Sequence, residues 1–217
     1  MQTQLYFWKP LMERHKKDLS MVKDYYDRTK GQFGTIEQEA TEYSNSLFNA
    51  FPGGEDTDVA SVAEWATEKG IEMYETLTIM KSNHLLMTIS MLYHIWEQQL
   101  IRFTINELQN NFTIDKKAGT FDEVQKLFKL HGVDIITTKS WGKIRELKAL
   151  VNTVKHGDGD SADRLRKIRP DFFVLEIMGR IDKTDILDLH GAVLLDAYSL
   201  QVKEDDLYDY IRATKEF

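Results

Sequence analysis

The longest apolar pattern in the chain runs from about Val59 to Phe112, a segment without proline in which Gly70 is the weakest helix former. Its apolar residues form two stripes, with Leu85, Ile89, Leu92, Trp96, Leu100 and Phe103 in the first and Met87, Met91, Ile95, Ile101, Ile105 and Leu108 in the second. In the first stripe, apolar residues recur at intervals of three and four, which is the spacing of one face of an α-helix. Because a helix that is apolar on two sides can be covered on both, the pattern predicts one long or once-broken helix in the middle of a bundle.

Shorter segments predict the helices around it. Several ends carry helix signals: Thr120 with Glu123 and Thr35 with Gln38 have capping-box spacing, and Ser161 can cap the helix that must stop before Pro170. The predicted helices cover about residues 10–30, 35–51, 120–131, 141–156, 161–169 and 204–217. Two short, partly β-branched runs, at residues 172–178 and 197–202, are candidates for a small hairpin, although period alone does not distinguish short strands from buried helix.

These elements predict an all-α protein, a helical bundle around a long central helix, with a small C-terminal β-hairpin as its one non-helical addition. A chain of 217 residues can bury roughly 70% of its unfolded surface in one core. Three prolines and no Ser/Gly-rich tract leave no clear linker. We therefore expect one domain over residues 1–217, with its core at about 60–170 and an extension at 171–217.

Cysteine is absent from the sequence. This excludes a disulfide framework, a thiolate nucleophile and sulfur-based zinc sites, and it fits a reducing compartment. No secretory signal pattern is visible, and no segment has the length of a membrane span without polar residues. The expectation is a soluble cytoplasmic protein without a membrane partner.

Charged residues are unevenly distributed along the chain, and this distribution indicates a local site. The formal net charge is −7, which argues against general coating of nucleic acid. Residues 139–169, however, hold nine Lys or Arg and four acids, a charge of +5, so the remainder carries −12. A local basic strip indicates an anionic ligand, while a solvated charge run is the simpler interpretation, and both stay open.

The end of the fifth predicted helix carries the candidate chemistry. Arg145, Ala149, Asn152 and His156 follow one another at offsets of four, three and four, so they share one stripe. Arg145 and His156 are about 16 Å apart along this helix and cannot contact one phosphate together, whereas Asn152 and His156 can. His156 either closes the helix by bonding its last carbonyls or acts as a proton-transfer group near neutral pH.

The sequence NTVKHG at this helix end resembles a motif of the HEPN superfamily, small α-helical bundles of bacterial toxin–antitoxin and phage-defence systems. The segments SMLYHIWEQQLIRFTINEL before it and GDGDSADRLRKIRPDFF after it extend the resemblance over about residues 60–170. Many members are metal-independent ribonucleases in which an Arg, four to six residues beginning with a polar one, and a His form the site. The resemblance thus implies a homodimer that completes the site, an antitoxin or defence-system partner, and no metal or cofactor.

The chain departs from the family pattern at one position. With four residues before His156, the arginine position falls on Val151 and the polar position on Asn152. Cleavage through the ribose 2′-hydroxyl needs a cation beside the proton-transfer group. Lys155 of the same chain or Arg145 of a second copy could supply it, while Val151 itself lies on the apolar stripe and is predicted to be core.

Two functions remain as expectations. The first is an RNA-directed protein, a candidate metal-independent ribonuclease, with His156, Asn152, Lys155 and Arg145 at its site. Phosphates would be held by Lys139, Lys143, Arg164, Arg166, Lys167 and Arg169. The second is a catalytically inactive module of the same fold that binds a protein partner or a nucleotide through the same basic segment.

Overall fold

Eight α-helices account for most of residues 5–54, 56–113, 119–177, 180–182 and 184–217, which the structure, a computed structural model, describes. They are α1 (Lys9–Thr29), α2 (Ile36–Ala50), α3 (Val59–Gln109), α4 (Phe121–Leu130), α5 (Trp141–His156), α6 (Asp160–Ile168), α7 (Ile186–His190) and α8 (Glu204–Glu216). Three 3₁₀ turns lie at Lys30–Phe33, Ile135–Thr137 and Pro170–Phe173. The predicted all-α bundle is confirmed.

The long central helix is α3, whose 51 residues begin after Asp58, where the side chain accepts a hydrogen bond from the Ala60 amide at 3.0 Å. Its first apolar stripe enters the core, where Ile89 and Leu92 are completely buried. The second stripe is covered less than predicted, since Met87 is 54% exposed. The second side lies partly at the surface because neighbouring helices cover one side of α3 more fully than the other.

The core forms where α1, α5 and α8 pack on the C-terminal half of α3. From α5 it receives Ile144, Leu147, Leu150, Val151 and Val154. Val151 is only 2% exposed, so its predicted place in the core is confirmed. The predicted capping box at Thr120 and Glu123 is present, whereas the Thr35 side chain caps nothing and instead donates to Glu39 at 2.6 Å.

The N-terminal half of α3 and α2 form a two-helix arm. The helices approach closely at Gly70, where a Cβ atom would lie 2.9 Å from the Ser44 Cβ and 3.2 Å from the Ala40 carbonyl oxygen. Trp65 and Ile71 remain exposed on the arm, because two helices alone cannot cover all their apolar faces.

The hairpin consists of β1 (Leu175–Ile177) and β2 (Arg180–Asp182), which pair antiparallel with Leu175 opposite Asp182. The pairing with residues 197–202 suggested by the sequence is wrong. That run is irregular: Leu200 is buried, and the Gln201 amide donates to the Phe172 carbonyl at 2.7 Å. Tertiary contact, rather than strand pairing, holds it. Among the described residues, none of the helices combines the length and apolar character that a membrane span requires.

Candidate anion-binding cleft

A cleft of about 320 Å³ lies where α4, α5 and α6 meet. Helical spacing creates it, since Arg145, Lys148 and Asn152 share one face of α5, while Ser161, Arg164 and Lys167 recur every three residues on α6. Among the residues that the structure describes, four of the lining side chains are therefore basic and none is acidic. The cleft concentrates positive charge in an otherwise acidic chain.

Most of this charge is not neutralised by the protein. Arg145, Arg164 and Lys167 are exposed and form no ion pair within the described part of the chain. Lys148 lies 3.6 Å from the carboxylate of Asp122, which is itself 77% exposed. Exposed pairs of this kind are weak, so all four cations can interact with an incoming anion.

Aromatic rings form one wall of the cleft. The rings of Phe121 and Trp141 stack with their centroids 6.1 Å apart and their planes 7° apart, and both residues line the cleft. The ammonium group of Lys148 lies 4.7 Å from the centroid of the Phe121 ring. A flat ring beside several cations suits a ligand that has both a planar group and a phosphate.

Polar groups without a charge complete the lining. Asn152 and Ser161 are half-buried, and neither side chain hydrogen-bonds another described residue. The predicted capping role of Ser161 is wrong, because α6 begins at Asp160 after Gly159 and has no side-chain cap. Ser161 therefore has a hydroxyl available to a ligand.

His156 and Lys155 lie outside the cleft. Both are exposed at the end of α5, and neither forms an ion pair or a side-chain hydrogen bond with the described residues. Of the predicted catalytic set, the structure brings Arg145 and Asn152 to one cleft and leaves His156 beyond its end. Lys139, predicted to contact phosphate, is exposed ahead of α5 and does not line the cleft either.

The loop after His156 has a structural role. Gly157 has a φ of 73°, and a Cβ atom there would lie 2.2 Å from the Gly191 carbonyl oxygen. The same oxygen accepts a hydrogen bond from the Asp158 amide at 3.1 Å. The glycine thus permits contact between this loop and the end of α7, and α5 must stop there.

Three of the six predicted phosphate contacts are already paired with carboxylates. Arg166 lies 2.7 Å from both Asp158 and Asp185, and 3.0 Å from Asp163. It joins α6 to the loop at residue 158 and to the start of α7. Outside the cleft, its guanidinium is 5.0 Å from the Phe173 ring.

Arg169 and Lys143 meet at the buried carboxylate of Glu146, which is 6% exposed. Arg169 contacts Glu146 at 2.7 Å and Asp206 at 2.8 Å, and Lys143 is 2.9 Å from Glu146. The Tyr210 hydroxyl donates to the same carboxylate at 2.8 Å, and burial raises the pKa of Tyr210 so that it keeps its proton. These charges hold α5, α8 and the chain after α6 together.

Lys148, Phe121 and Trp141 line the cleft but were not among the residues that the sequence suggested for a site. A signal for Lys148 was present, since it lies three residues after Arg145 on the stripe that leads to Asn152. No sequence signal marked Phe121 and Trp141 as site residues, because an apolar ring at helical spacing is most simply interpreted as a core residue.

No group of three or more His, Asp or Glu side chains in the described residues could hold a metal ion. What the cleft offers is charge, a flat apolar surface and neutral hydrogen-bonding groups. Comparisons with protein-family models, with curated proteins and with solved structures find no match for this chain.

Proposed function

We propose that the protein binds single-stranded RNA in the cleft between α4, α5 and α6. The observation that carries the proposal is a site with four basic side chains, no acidic side chain and a stacked aromatic wall. Proteins that bind single strands combine a cationic groove for the phosphates with rings on which bases stack. The net charge of −7 restricts such binding to this local site.

Each part of the cleft has a role in this arrangement. The phosphates are bound by the four cations of the cleft: Arg145, Arg164 and Lys167 are unpaired by described residues, and Lys148 has only a weak, exposed pair with Asp122. A base stacks against Trp141, which is half-buried and lines the cleft. Asn152 and Ser161 can hydrogen-bond a base edge or the ribose 2′-hydroxyl, the group that distinguishes RNA from DNA.

Fluorescence polarisation with a short labelled oligouridylate tests this assignment. Replacing both Arg145 and Arg164 by Ala should weaken binding by about tenfold or more, because two charge-assisted phosphate contacts are lost. The matched control is Arg28→Ala, which removes an exposed arginine of α1 and should leave the affinity unchanged. Equal affinities for the double variant and the wild type would overturn the proposal.

A DNA oligomer of the same length separates ribose recognition from simple charge. If Asn152 and Ser161 contact the 2′-hydroxyl, oligodeoxyuridylate, which carries the same base, should bind more weakly than oligouridylate, and Asn152→Ala should reduce the difference. Equal binding of the two oligomers would contradict the ribose contact.

A second candidate function is RNA cleavage of the HEPN type. It is favoured by the position of His156, exposed one turn beyond Asn152, which lines the cleft. Because Arg145 of the same chain lies far along α5, the proposed arrangement is a homodimer in which Arg145 of a second copy approaches His156, with Lys155 of the same chain as the alternative source of the cation.

Cleavage assays in EDTA test this function, with cyclic phosphate ends as the expected product. His156→Ala and Arg145→Ala should each abolish cleavage, and mixing the two variants should restore part of it through mixed dimers. Cleavage that persists in His156→Ala would exclude this site, and RNA binding without cleavage would leave the binding function alone.

A further inference from the structure

A second cavity, of about 170 Å³, lies where the N-terminal segment, α1, α3 and α8 meet. None of its described lining residues also lines the cleft between α4, α5 and α6. Its walls are mainly apolar and include five aromatic side chains: Phe7, Trp96, Phe103, Phe128 and Phe217. An engineered apolar cavity of about 150 Å³ accepts benzene, so this one is large enough for a single aromatic ring.

The walls support one another and hold the space open. Phe7 stacks on Phe103 with the centroids 5.1 Å apart, and Trp96 meets Phe217 edge to face, also at 5.1 Å. The N-terminal segment that carries Phe7 is tied to α3, since the Tyr6 amide donates to the carboxylate of Glu107 at 2.8 Å. Phe7 is 47% exposed and therefore forms the outer wall, next to solvent.

The polar groups of the cavity favour an anion. The described residues of its lining include His15, Lys16 and Lys215 and no acidic side chain. Lys16 is 3.3 Å from Glu13, but Lys215, half-buried in the last turn of α8, forms no ion pair with a described residue. Burial lowers the pKa of His15 more than the nearby Asp18 raises it, so Lys215 provides the unpaired charge.

We propose that this cavity binds a small aromatic carboxylate, with its ring between Trp96 and Phe103 and its carboxylate on the ammonium group of Lys215. The ring replaces empty space by contacts with other rings, and the carboxylate neutralises a cation at the edge of an apolar site. A ligand of the size of phenylacetate satisfies both requirements.

Isothermal titration of the full chain with phenylacetate tests the proposal, and saturable binding with a Kd of about 1 mM or tighter is expected for a ligand of this size. Two related compounds separate the contributions: 2-phenylethanol keeps the ring without the charge, and acetate keeps the charge without the ring. Both should bind at least about tenfold more weakly than phenylacetate.

Lys215→Met tests the charge and preserves the apolar stem of the side chain. This variant should bind phenylacetate about tenfold more weakly than the wild type and should bind 2-phenylethanol with unchanged affinity. Lys139→Met, at an exposed lysine outside both sites, is the matched control and should bind as the wild type does.

Leu100→Phe tests the volume, because it fills the cavity from α3 and should abolish binding of both aromatic compounds. Circular dichroism verifies that this variant folds. The proposal is overturned if phenylacetate shows no saturable binding, or if Lys215→Met binds it as tightly as the wild type. Failure of RNA binding would leave these results unaffected, since the two sites share no residue.

Discussion

Four arginines between residues 145 and 169 have two different environments. Arg145 and Arg164 extend into the cleft without a described counterion, whereas Arg166 and Arg169 each contact three carboxylates. The first pair has its charge available for a ligand. The second pair uses its charge to hold helices together. Mutation of the first pair should therefore reduce ligand binding, and mutation of the second pair should reduce stability.

Arg169→Ala should lower the free energy of unfolding by about 3 kcal/mol, because it removes one partner of the buried carboxylate of Glu146. Arg164→Ala should change it by less than about 0.5 kcal/mol, since that side chain is exposed. Urea unfolding followed by circular dichroism measures both. Similar losses in the two variants would contradict the division into binding and structural arginines.

Gly157 is the residue that fixes the end of α5 beside His156. Gly157→Ala should destabilise the protein by about 2 kcal/mol or more, because its φ is positive and the new Cβ would overlap the Gly191 carbonyl. Gly142→Ala is the matched control: nothing lies within 4 Å of its added Cβ, and alanine should stabilise α5 by about 0.5 kcal/mol. The midpoint of thermal unfolding should therefore fall in Gly157→Ala and rise in Gly142→Ala. A shift in the same direction in both variants would contradict the assigned contact.

At the scale of elements, α7 is attached to α6 by charge. Asp185 caps α7 by accepting from the Asp188 amide at 3.0 Å, and it also accepts from Arg166 at 2.7 Å. Burial raises the pKa of Asp185, but these hydrogen bonds outweigh it and hold the pKa below its usual value of 3.8. The attachment is consequently strongest where this carboxylate is ionised.

A carboxylate whose pKa is lower in the folded protein stabilises that state above its unfolded pKa, and the contribution disappears as pH falls through the folded pKa. The contribution of Asp185 to the free energy of unfolding should thus be constant from neutral pH to about 4.5 and decrease below about pH 4. Asp185→Asn should lower stability at pH 7 and reduce the acid-dependent loss. Asp56→Asn, at an exposed carboxylate that forms no ion pair with a described residue, should leave the profile unchanged. An Asp185→Asn profile parallel to the wild type would contradict the attachment.

Most helices follow from local sequence and were predicted, although the caps at Thr35 and Ser161 were wrong, whereas contacts between distant elements were not predicted. The period of α3, the Thr120 capping box and the stop at Gly157 are local and were predictable. The pairing of Arg166 with Asp185 and of Arg169 with Asp206 joins residues 19 and 37 positions apart. No periodicity reveals such pairs, so the sequence could not indicate which cations of the basic segment remain available.

For the same reason, the cleft was predictable only in part. The stripe of Arg145 and Asn152 follows from helix geometry, but its second side depends on how α6 packs against α5. The aromatic wall depends on the position of α4, which brings Phe121 against Trp141. His156 was predicted as a site residue from its type and motif, whereas the structure places the cations of α5 that line the cleft, Arg145 and Lys148, two to three turns earlier on the helix.

At the scale of the whole molecule, charge is segregated between the arm and the bundle. Residues 36–80 contain ten acidic residues and one lysine, a formal charge of −9, so the rest of the chain carries +2. The negative charge of the arm disfavours contact with polyanions, which leaves the cleft as the site of the proposed RNA binding. RNA is expected to engage the protein at one place, and the number of phosphate contacts should be small and countable.

The salt dependence of RNA binding measures that number. Binding of a single strand releases roughly 0.7 counterions per phosphate contact, so the four cations of the cleft predict a slope of about −2.8 for log K against log salt. In the double variant Arg145→Ala and Arg164→Ala the slope should fall to about −1.4, while Arg28→Ala should retain the wild-type slope. Polarisation titrations of the labelled oligouridylate between about 50 and 300 mM KCl provide both slopes. A wild-type slope much steeper than −2.8 would indicate a wider contact surface than the cleft, and an unchanged slope in the double variant would place the bound phosphates elsewhere.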